Sequence, residues 1–159
     1  CSSDLIRVVP VTTAEQMHRA CIREFPRCDA AVMSAAVADF TPASPVKRKV
    51  KKSDGMNEIR LRPTKDILAE LGKLKKKKQV LVGFALESDD GVESAKQKLK
   101  SKNLDLIVLN SLLDKGSGFG TDTNSVTFFM PGKKAEKSGL VSKRELGKMI
   151  SKKITGLLR

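Results

Sequence analysis

Between residues 30 and 38 the chain is apolar apart from Ser34, and the run stops at Asp39. A short apolar run bounded by turn residues reads as a β-strand buried on both faces. Strands of that kind belong to parallel sheets, where ligands sit in the crevice beyond the carboxyl ends of the strands. After Asp39 comes a Pro-spaced loop carrying Lys47, Arg48, Lys49, Lys51 and Lys52. The crevice therefore receives one acid and a cluster of bases. A solvated basic loop is the plainer reading, but Ser34, Ala35, Ala36 and Ala38 are small enough to let a ligand approach the backbone.

The rest of the chain alternates strand and helix patterns. Residues 5–11 have a branched apolar pattern suited to a strand. Thr12 or Thr13 then caps a helix over 14–25, with Glu15 or Gln16 placed to complete a capping box and Pro26 to end it. Strands are predicted over 29–38, 58–61, 80–85, 104–109 and 125–130, with turns at Ser53-Asp54-Gly55 and Pro131-Gly132. Thr64 is placed to cap a helix to about residue 74, and residues 88–90 lead into another that ends near 102. A last helix over 142–158 puts Leu146, Met149, Ile150, Ile154 and Leu157 on one face. This pattern predicts one α/β domain over residues 1–159. The fold class is a Rossmann-like three-layer sandwich, with a mostly parallel central sheet and antiparallel edge strands.

A net charge of +13 implies polyanionic company: nucleic acid, a nucleotide or a membrane surface. With no Trp or Tyr and only six Phe, the aromatic platforms of a single-strand nucleic-acid binder are scarce. No apolar segment approaches the ~20 residues needed to span a bilayer, so no membrane partner is expected. The three cysteines lack metal-type spacing and a single histidine cannot complete a zinc site. They read as reduced thiols of a cytoplasmic protein. Cys1 is not an initiator and no signal-peptide pattern follows it, so a processed or truncated polypeptide is expected.

Asp39, Glu87 and Asn110 each follow or close a predicted strand, and parallel strands bring such ends to one rim. Lys98 and Lys102 lie four apart on one helix face and form a plausible clamp for a charged ligand, although a solvated face is the plainer reading. Lys73 and Lys75 to Lys78 crowd a helix end, where cations meet the dipole favourably, and define no anion site. His18 is expected on an ordinary surface of its helix. The Gly116, Gly118 and Gly120 loop lacks the Lys-Ser/Thr of a phosphate loop and reads as a turn. A nicotinamide oxidoreductase would need a Gly-x-Gly-x-x-Gly turn that the chain does not show. A nucleic-acid module would want its charge in one stripe, not spread over loop, helix ends and C-terminus.

Taken in order, Ala35-Ala36-Val37-Ala38-Asp39-Phe40, Lys49-Val50-Lys51-Lys52, Thr64-Lys65-Asp66-Ile67-Leu68, Gly83-Phe84-Ala85-Leu86-Glu87, the stretch 98–110 and Gly118-Phe119-Gly120-Thr121-Asp122-Thr123-Asn124 resemble the motif series of bacterial phosphopantothenate–cysteine ligase. The resemblance runs from residue 5 to the last helix. It implies a place in coenzyme A biosynthesis and a reaction in two steps. The carboxylate of 4'-phosphopantothenate attacks the α-phosphate of CTP to give an acyl-cytidylate and pyrophosphate, and the amine of L-cysteine then displaces CMP. Mg2+ would accompany CTP. Implied partners are a second copy in a homodimer and a fused or associated phosphopantothenoylcysteine decarboxylase, whose flavin has no place in this chain.

Carried over residue by residue, the resemblance puts Met33, Ser34, Ala35 and Asp39 at the nucleotide and Ala36 near phosphopantothenate. Lys49 matches the flap lysine that closes over the acyl-cytidylate. Lys65, Asp66, Ile67, Leu68, Phe84, Lys98 and Lys102 match the remaining CTP-binding positions. Family members begin with a strand, a glycine-rich turn and an Asn-containing loop with a Ser-Ser-Gly-Lys-Met-Gly pattern, and nothing in this sequence matches them. On that reading this polypeptide alone lacks a complete active site.

Overall fold

Val80 to Ala85, apolar at every position, form the middle of the structure. The computed structural model describes residues 5–46, 48–49, 51, 58–87, 91–111 and 120–158. In chain order its strands are β1 (Ala30–Met33), β2 (Phe40–Pro42), β3 (Leu61–Pro63), β4 (Val80–Glu87), β5 (Leu106–Ser111), β6 (Thr123–Asn124), β7 (Val126–Phe129), β8 (Glu136–Lys137) and β9 (Val141–Ser142). Its helices are α1 (Ala14–Glu24), α2 (Ile67–Leu74), α3 (Gly91–Ser101) and α4 (Lys143–Leu157). The central sheet has the order β1-β4-β5-β7-β8. β1 and β5 flank β4 in parallel, while β7 and β8 add antiparallel. Two small ribbons, β2-β3 and β6-β9, stand outside it.

Successive side chains of a strand point to opposite faces, and here both faces are covered. Leu81, Ala85, Ile107, Leu109 and Phe129 join Ile67, Leu71 and Ala95 from α2 and α3, with Met17, Cys21 and Ile22 of α1 packed against them. Val80, Val82, Leu106, Val108 and Phe128 meet Leu146, Met149, Ile150, Ile154 and Leu157 of α4. This is the predicted stripe of the last helix, and Ser142 caps it by accepting from the Glu145 N–H. Three layers follow from two-sided burial of the middle strands.

Helix starts are set by local chemistry. Thr13 Oγ1 accepts from the Gln16 N–H at 3.1 Å while Gln16 Oε1 accepts from the Thr13 N–H at 3.2 Å, a reciprocal capping box. Asp66 Oδ1 accepts from the Ala69 N–H at 2.9 Å and starts α2. The expected Thr64 cap is thus replaced by Asp66, because Thr64 is occupied elsewhere, as described below. Gly132 adopts φ +68° in the turn after Pro131, and the Lys133 N–H closes it onto the Met130 carbonyl.

Several expectations are corrected. The strand expected over 29–38 is only β1, and residues 34–38 form a loop. It is half-buried at the end of the sheet order, with Val32 exposed, and not buried on both faces. Residues 5–11 form no strand: Leu5, Ile6 and Val8 are 88%, 75% and 79% exposed. Period-two hydrophobicity produces a strand only where an edge is available to pair, and none of the described strands pairs with this segment. The strand expected over 58–61 is instead β3, set by pairing Phe40 with Pro63 and Pro42 with Leu61. The turn at Ser53-Asp54-Gly55, the approach at 88–90 and most of the loop around Gly116 and Gly118 lie outside the described residues. Among the described residues, Cys21 and Cys28 are free thiols and no helix is long and apolar enough to cross a membrane.

One carboxylate ties α2 to the sheet. Lys75, at the end of α2, places its ammonium 2.8 Å from both oxygens of Asp105, and Asp105 Oδ2 also accepts from the Leu81 N–H at 2.7 Å. Lys75 is therefore not one of the solvated helix-end lysines; its side chain is only 10% exposed. Removing Asp105 leaves the part-buried Lys75 ammonium and the Leu81 N–H without this acceptor, so Asp105→Ala should cost about 2 kcal/mol. An exposed control, Lys77→Ala, should cost less than about 0.5 kcal/mol. Urea denaturation of both variants checks this, and equal midpoints would show that the Asp105 cluster adds nothing.

Candidate functional site

β1 and β4 run parallel; β1 ends at Met33 opposite Gly83 while β4 continues to Glu87, and the chain leaving β1 crosses to β2. Thr64 holds that crossing in place. Its N–H donates to the Asp39 carbonyl at 2.8 Å and its hydroxyl donates to the Ala38 carbonyl at 2.7 Å. The β2-β3 ribbon begins at the next residue, Phe40, opposite Pro63. Asp39 is thereby fixed beside the start of α2, a placement that needs residues 25 positions apart.

A cavity of about 210 Å³ lies there, lined by Met33, Ala35, Val37, Asp39, Thr64, Lys65, Asp66, Ile67, Leu68, Phe84 and Lys102. Most of the sequence-predicted positions thus come together. A neighbouring cavity of about 430 Å³ opens between the 35–38 loop and the start of α1, lined by Thr12, Thr13, Met17, Ala36, Phe40 and Thr41 among others. Ala35, Val37 and Thr64 line both.

Lys65, Lys102, Asp39 and Asp66 are the charged residues lining the smaller cavity, and both lysines are ion-paired. Lys102 Nζ lies 2.7 Å from Asp66 Oδ2, and Lys65 Nζ lies 3.9 Å from Glu15 of α1. Lys102 is thus ion-paired and its side chain three-quarters buried, unlike a solvated face. Burial pushes the Asp66 carboxyl up, but the hydrogen bonds from Lys102 and the Ala69 N–H together with the lysine charge outweigh it, and the net shift is downward. The Glu15 carboxyl is also held low, chiefly by its hydrogen bond from Arg19 and by Lys65.

Other predicted positions are placed differently. Ser34 is exposed and lines neither cavity, and Lys49 is exposed and lines neither. Most of the flap around Lys49, including Lys47 and Lys52, lies outside the described residues. Lys98 is half-buried one turn before Lys102 and lines neither cavity. Asn110 is engaged within the sheet region: its Oδ1 accepts from Asn124 Nδ2 at 2.8 Å. The side chain of Glu87 is outside the description.

Thr64 as a tie for the Asp39 loop was not anticipated, and His18 was placed wrongly. His18 is 6% exposed and its Nε2 lies 2.7 Å from Glu70 Oε2, joining α1 to α2; its buried Nδ1 has no partner among the described residues. The signal was present, since His18 falls in the helical stripe with Cys21, Ile22 and Phe25. The polar side chain concealed it.

The structure defines a class: an α/β domain that gathers two acids, two lysines and an aromatic ring beside the carboxyl end of a parallel strand. The chain belongs to the family described as the DNA/pantothenate metabolism flavoprotein C-terminal domain, whose model matches residues 2–158. It is 50% identical over 157 residues to a cysteine/cysteine sulfinic acid decarboxylase from an unknown prokaryotic organism, covering 99% of this chain and 44% of that one. It is 48% identical over 133 residues to the coenzyme A biosynthesis bifunctional protein CoaBC of Bacillus subtilis (strain 168), covering 83% of this chain and 32% of that one. Its fold matches the crystal structure of the C-terminal domain of a CoaBC protein with TM-score 0.74 and 34% identity, over 94% of this chain and 65% of that one. The chain thus spans less than half the length of these curated relatives. The ligase-domain family anticipated from the motif series is the one to which it belongs.

The Asp66 shift has a consequence in acid. A carboxyl held below its ordinary value of 3.8 in the folded state contributes stability above that value and loses it as pH falls through the folded value. Asp66→Asn should therefore flatten the fall in stability as pH drops below about 4, relative to the native protein. Thermal melts across that window check it; parallel pH curves would mean that the Lys102 pair does not survive in solution.

Proposed function

We propose that this chain forms the nucleotide-binding part of a phosphopantothenate–cysteine ligase, which activates 4'-phosphopantothenate with CTP and joins it to L-cysteine. One observation carries the reading: Asp39, Lys65, Asp66, Phe84 and Lys102 line one cavity at the strand ends of a chain that belongs to this family. Both reactants are anions, so bringing carboxylate and triphosphate together requires fixed positive charge. Lys65 and Lys102 supply it, and Phe84 adds a half-buried ring to the wall.

The carboxylate of phosphopantothenate bonds to the α-phosphorus of CTP and pyrophosphate leaves. The cysteine amine then attacks the acyl carbon, CMP leaves with the bonding electrons, and the amine proton passes to solvent or base. The residues of this chain act by positioning and by electrostatic stabilisation of the phosphoryl oxygens. Among the described residues no three His, Cys, Asp or Glu side chains group as a metal site. Mg2+ commonly takes one or two carboxylates and completes its shell with phosphates and water. Asp39 and Asp66 are the oxygen donors available for it, and when bound it would offset triphosphate charge.

A homodimer belongs to the same reading. β7 lies between β5 and β8 and is buried, so it offers no edge to a second copy. Phe40, Ile59 and Leu61, in and beside the β2-β3 ribbon, are exposed and are the apolar surface on which this reading places the second copy. The decarboxylase activity in the name of the first relative belongs to a protein of which this chain spans 44%, and no residue of the cavity points to it.

CTP should raise the melting temperature of the full-length protein more than ATP or GTP, because a ligand bound to the native state stabilises it by mass action. Lys102→Ala and Asp39→Asn should each weaken that shift in magnesium. Equal shifts for all three nucleotides would overturn the cytidine assignment. Lys49→Gln should spare CTP binding but slow pyrophosphate release or amide formation in single turnover, as expected of an interaction made near the transition state. Wild-type kinetics for that variant would remove the flap lysine from the mechanism.

A further inference from the structure

Lys102, the more buried of the two lysines at the cavity, follows the end of α3 and lies beside Gly72 and Asn103, which line no part of that cavity. α3 ends in a Schellman arrangement: the Leu104 N–H donates to the Leu99 carbonyl at 2.9 Å and the Asn103 N–H donates to the Lys100 carbonyl at 3.3 Å. Lys102 is the capping residue of that turn. Asn103 follows with φ +52°, and no other non-glycine among the described residues has a positive φ. Glycine is the ordinary occupant of such a position. An asparagine there carries an amide that glycine lacks, and Asn103 Nδ2 donates to the Gly72 carbonyl at 2.9 Å.

The acceptor has a reason to receive it. Gly72 lies in the last turn of α2, where carbonyls have no partner within the helix. The Lys76 N–H that would serve it in a longer helix donates to Gln79 Oε1 instead. Gly72 is also the point of closest approach. A Cβ built on it would overlap the Lys102 carbonyl oxygen and lie 2.8 Å from the carbonyl carbon, both backbone atoms that cannot swing aside. The Lys102 backbone is thus pressed against α2 at Gly72, while its ammonium reaches Asp66 at the other end of the same helix.

We infer that Gly72 and Asn103 are positioning residues for Lys102, holding the turn after α3 on α2 so that the Lys102 ammonium is presented at the cavity. The inference rests on the reading of that cavity as the nucleotide site. A lysine has a long and freely rotating side chain, and an anionic ligand gains most from one whose backbone and stem are already placed. Asp66 holds the ammonium until the ligand arrives.

The test is a double-mutant cycle on CTP affinity in magnesium, using the full-length protein. Asn103→Gly keeps the positive φ and removes only the tether. It should weaken CTP binding roughly three- to tenfold, in the lower part of the range of coupling within one hydrogen-bond network. In a Lys102→Ala background the same change should add nothing, because Asn103 acts through Lys102. Equal loss in both backgrounds would mean a general structural role and would overturn the inference, as would unchanged affinity for Asn103→Gly while Lys102→Ala still weakens binding. If Lys102→Ala itself is silent, the nucleotide-site reading falls together with the inference, which separates the two failures. Asn103→Asp tolerates the same backbone but turns an oxygen toward the Gly72 carbonyl, and it should lose at least as much affinity. A folded Asn103→Asp with native CTP affinity would also overturn the proposal.

Discussion

The closeness with which α2 lies on the structure governs the rest of the site. Gly83 of β4 leaves room for Leu68: a Cβ there would come within 2.8 Å of Leu68 Cδ2 and 3.0 Å of Leu104 Cδ1. Gly72 leaves room for the Lys102 backbone in the same way. Two side chains removed from one helix footprint let α2 settle against both the sheet and the turn after α3. Ile67 and Leu71 are buried as a result, and the start of α2, with Asp66, is delivered to the strand ends. A helix held farther out would leave Asp39 and Phe84 on one wall of an open groove.

Charge is arranged around that contact in two ways. Thirty-one basic residues face eighteen acidic ones, so many bases have no carboxylate available to them. Some of the acids serve the fold. Asp105 takes Lys75 and the Leu81 N–H, and Glu136 takes Lys153, whose ammonium also lies 4.6 Å from the Phe128 ring. Glu70 takes His18 between α1 and α2. Asp66 is different because its pair faces a cavity. An ammonium paired there is held in place yet can exchange its carboxylate for a phosphate, whereas one fully enclosed with its partner cannot.

Much of the fold was legible because the signals are local. The stripe Leu146, Met149, Ile150, Ile154 and Leu157 needs only the helical period, and the Thr13-Gln16 capping box only a stretch of four residues. The apolar run through β4 reads as buried from either side. The segment 5–11 has an equally good strand pattern and forms no strand, since a ladder requires a neighbour that no local pattern encodes. Thr64 and Asp66 are both good caps by residue type. Asp66 starts the helix because Thr64 is drawn to the Ala38 and Asp39 carbonyls, a contact that exists only once β2 and β3 have paired.

Residue types and their order by themselves determined the α/β class, the family and the chemistry available at the strand ends: an acid after β1, an aromatic residue in β4, lysines on the helices. These follow from composition and short-range spacing, which survive in an extended chain. Which of those residues share a cavity was decided only by the tertiary structure. Lys102 lines the smaller cavity and is paired with Asp66, while Lys98, one turn away, lines neither of the two cavities described; His18 is enclosed between two helices; Asn110 is bound to Asn124. The physical reason is that side-chain direction near a site depends on how closely backbones approach. Here the approach is set by Gly72 and Gly83, residues whose contribution is the volume they leave empty.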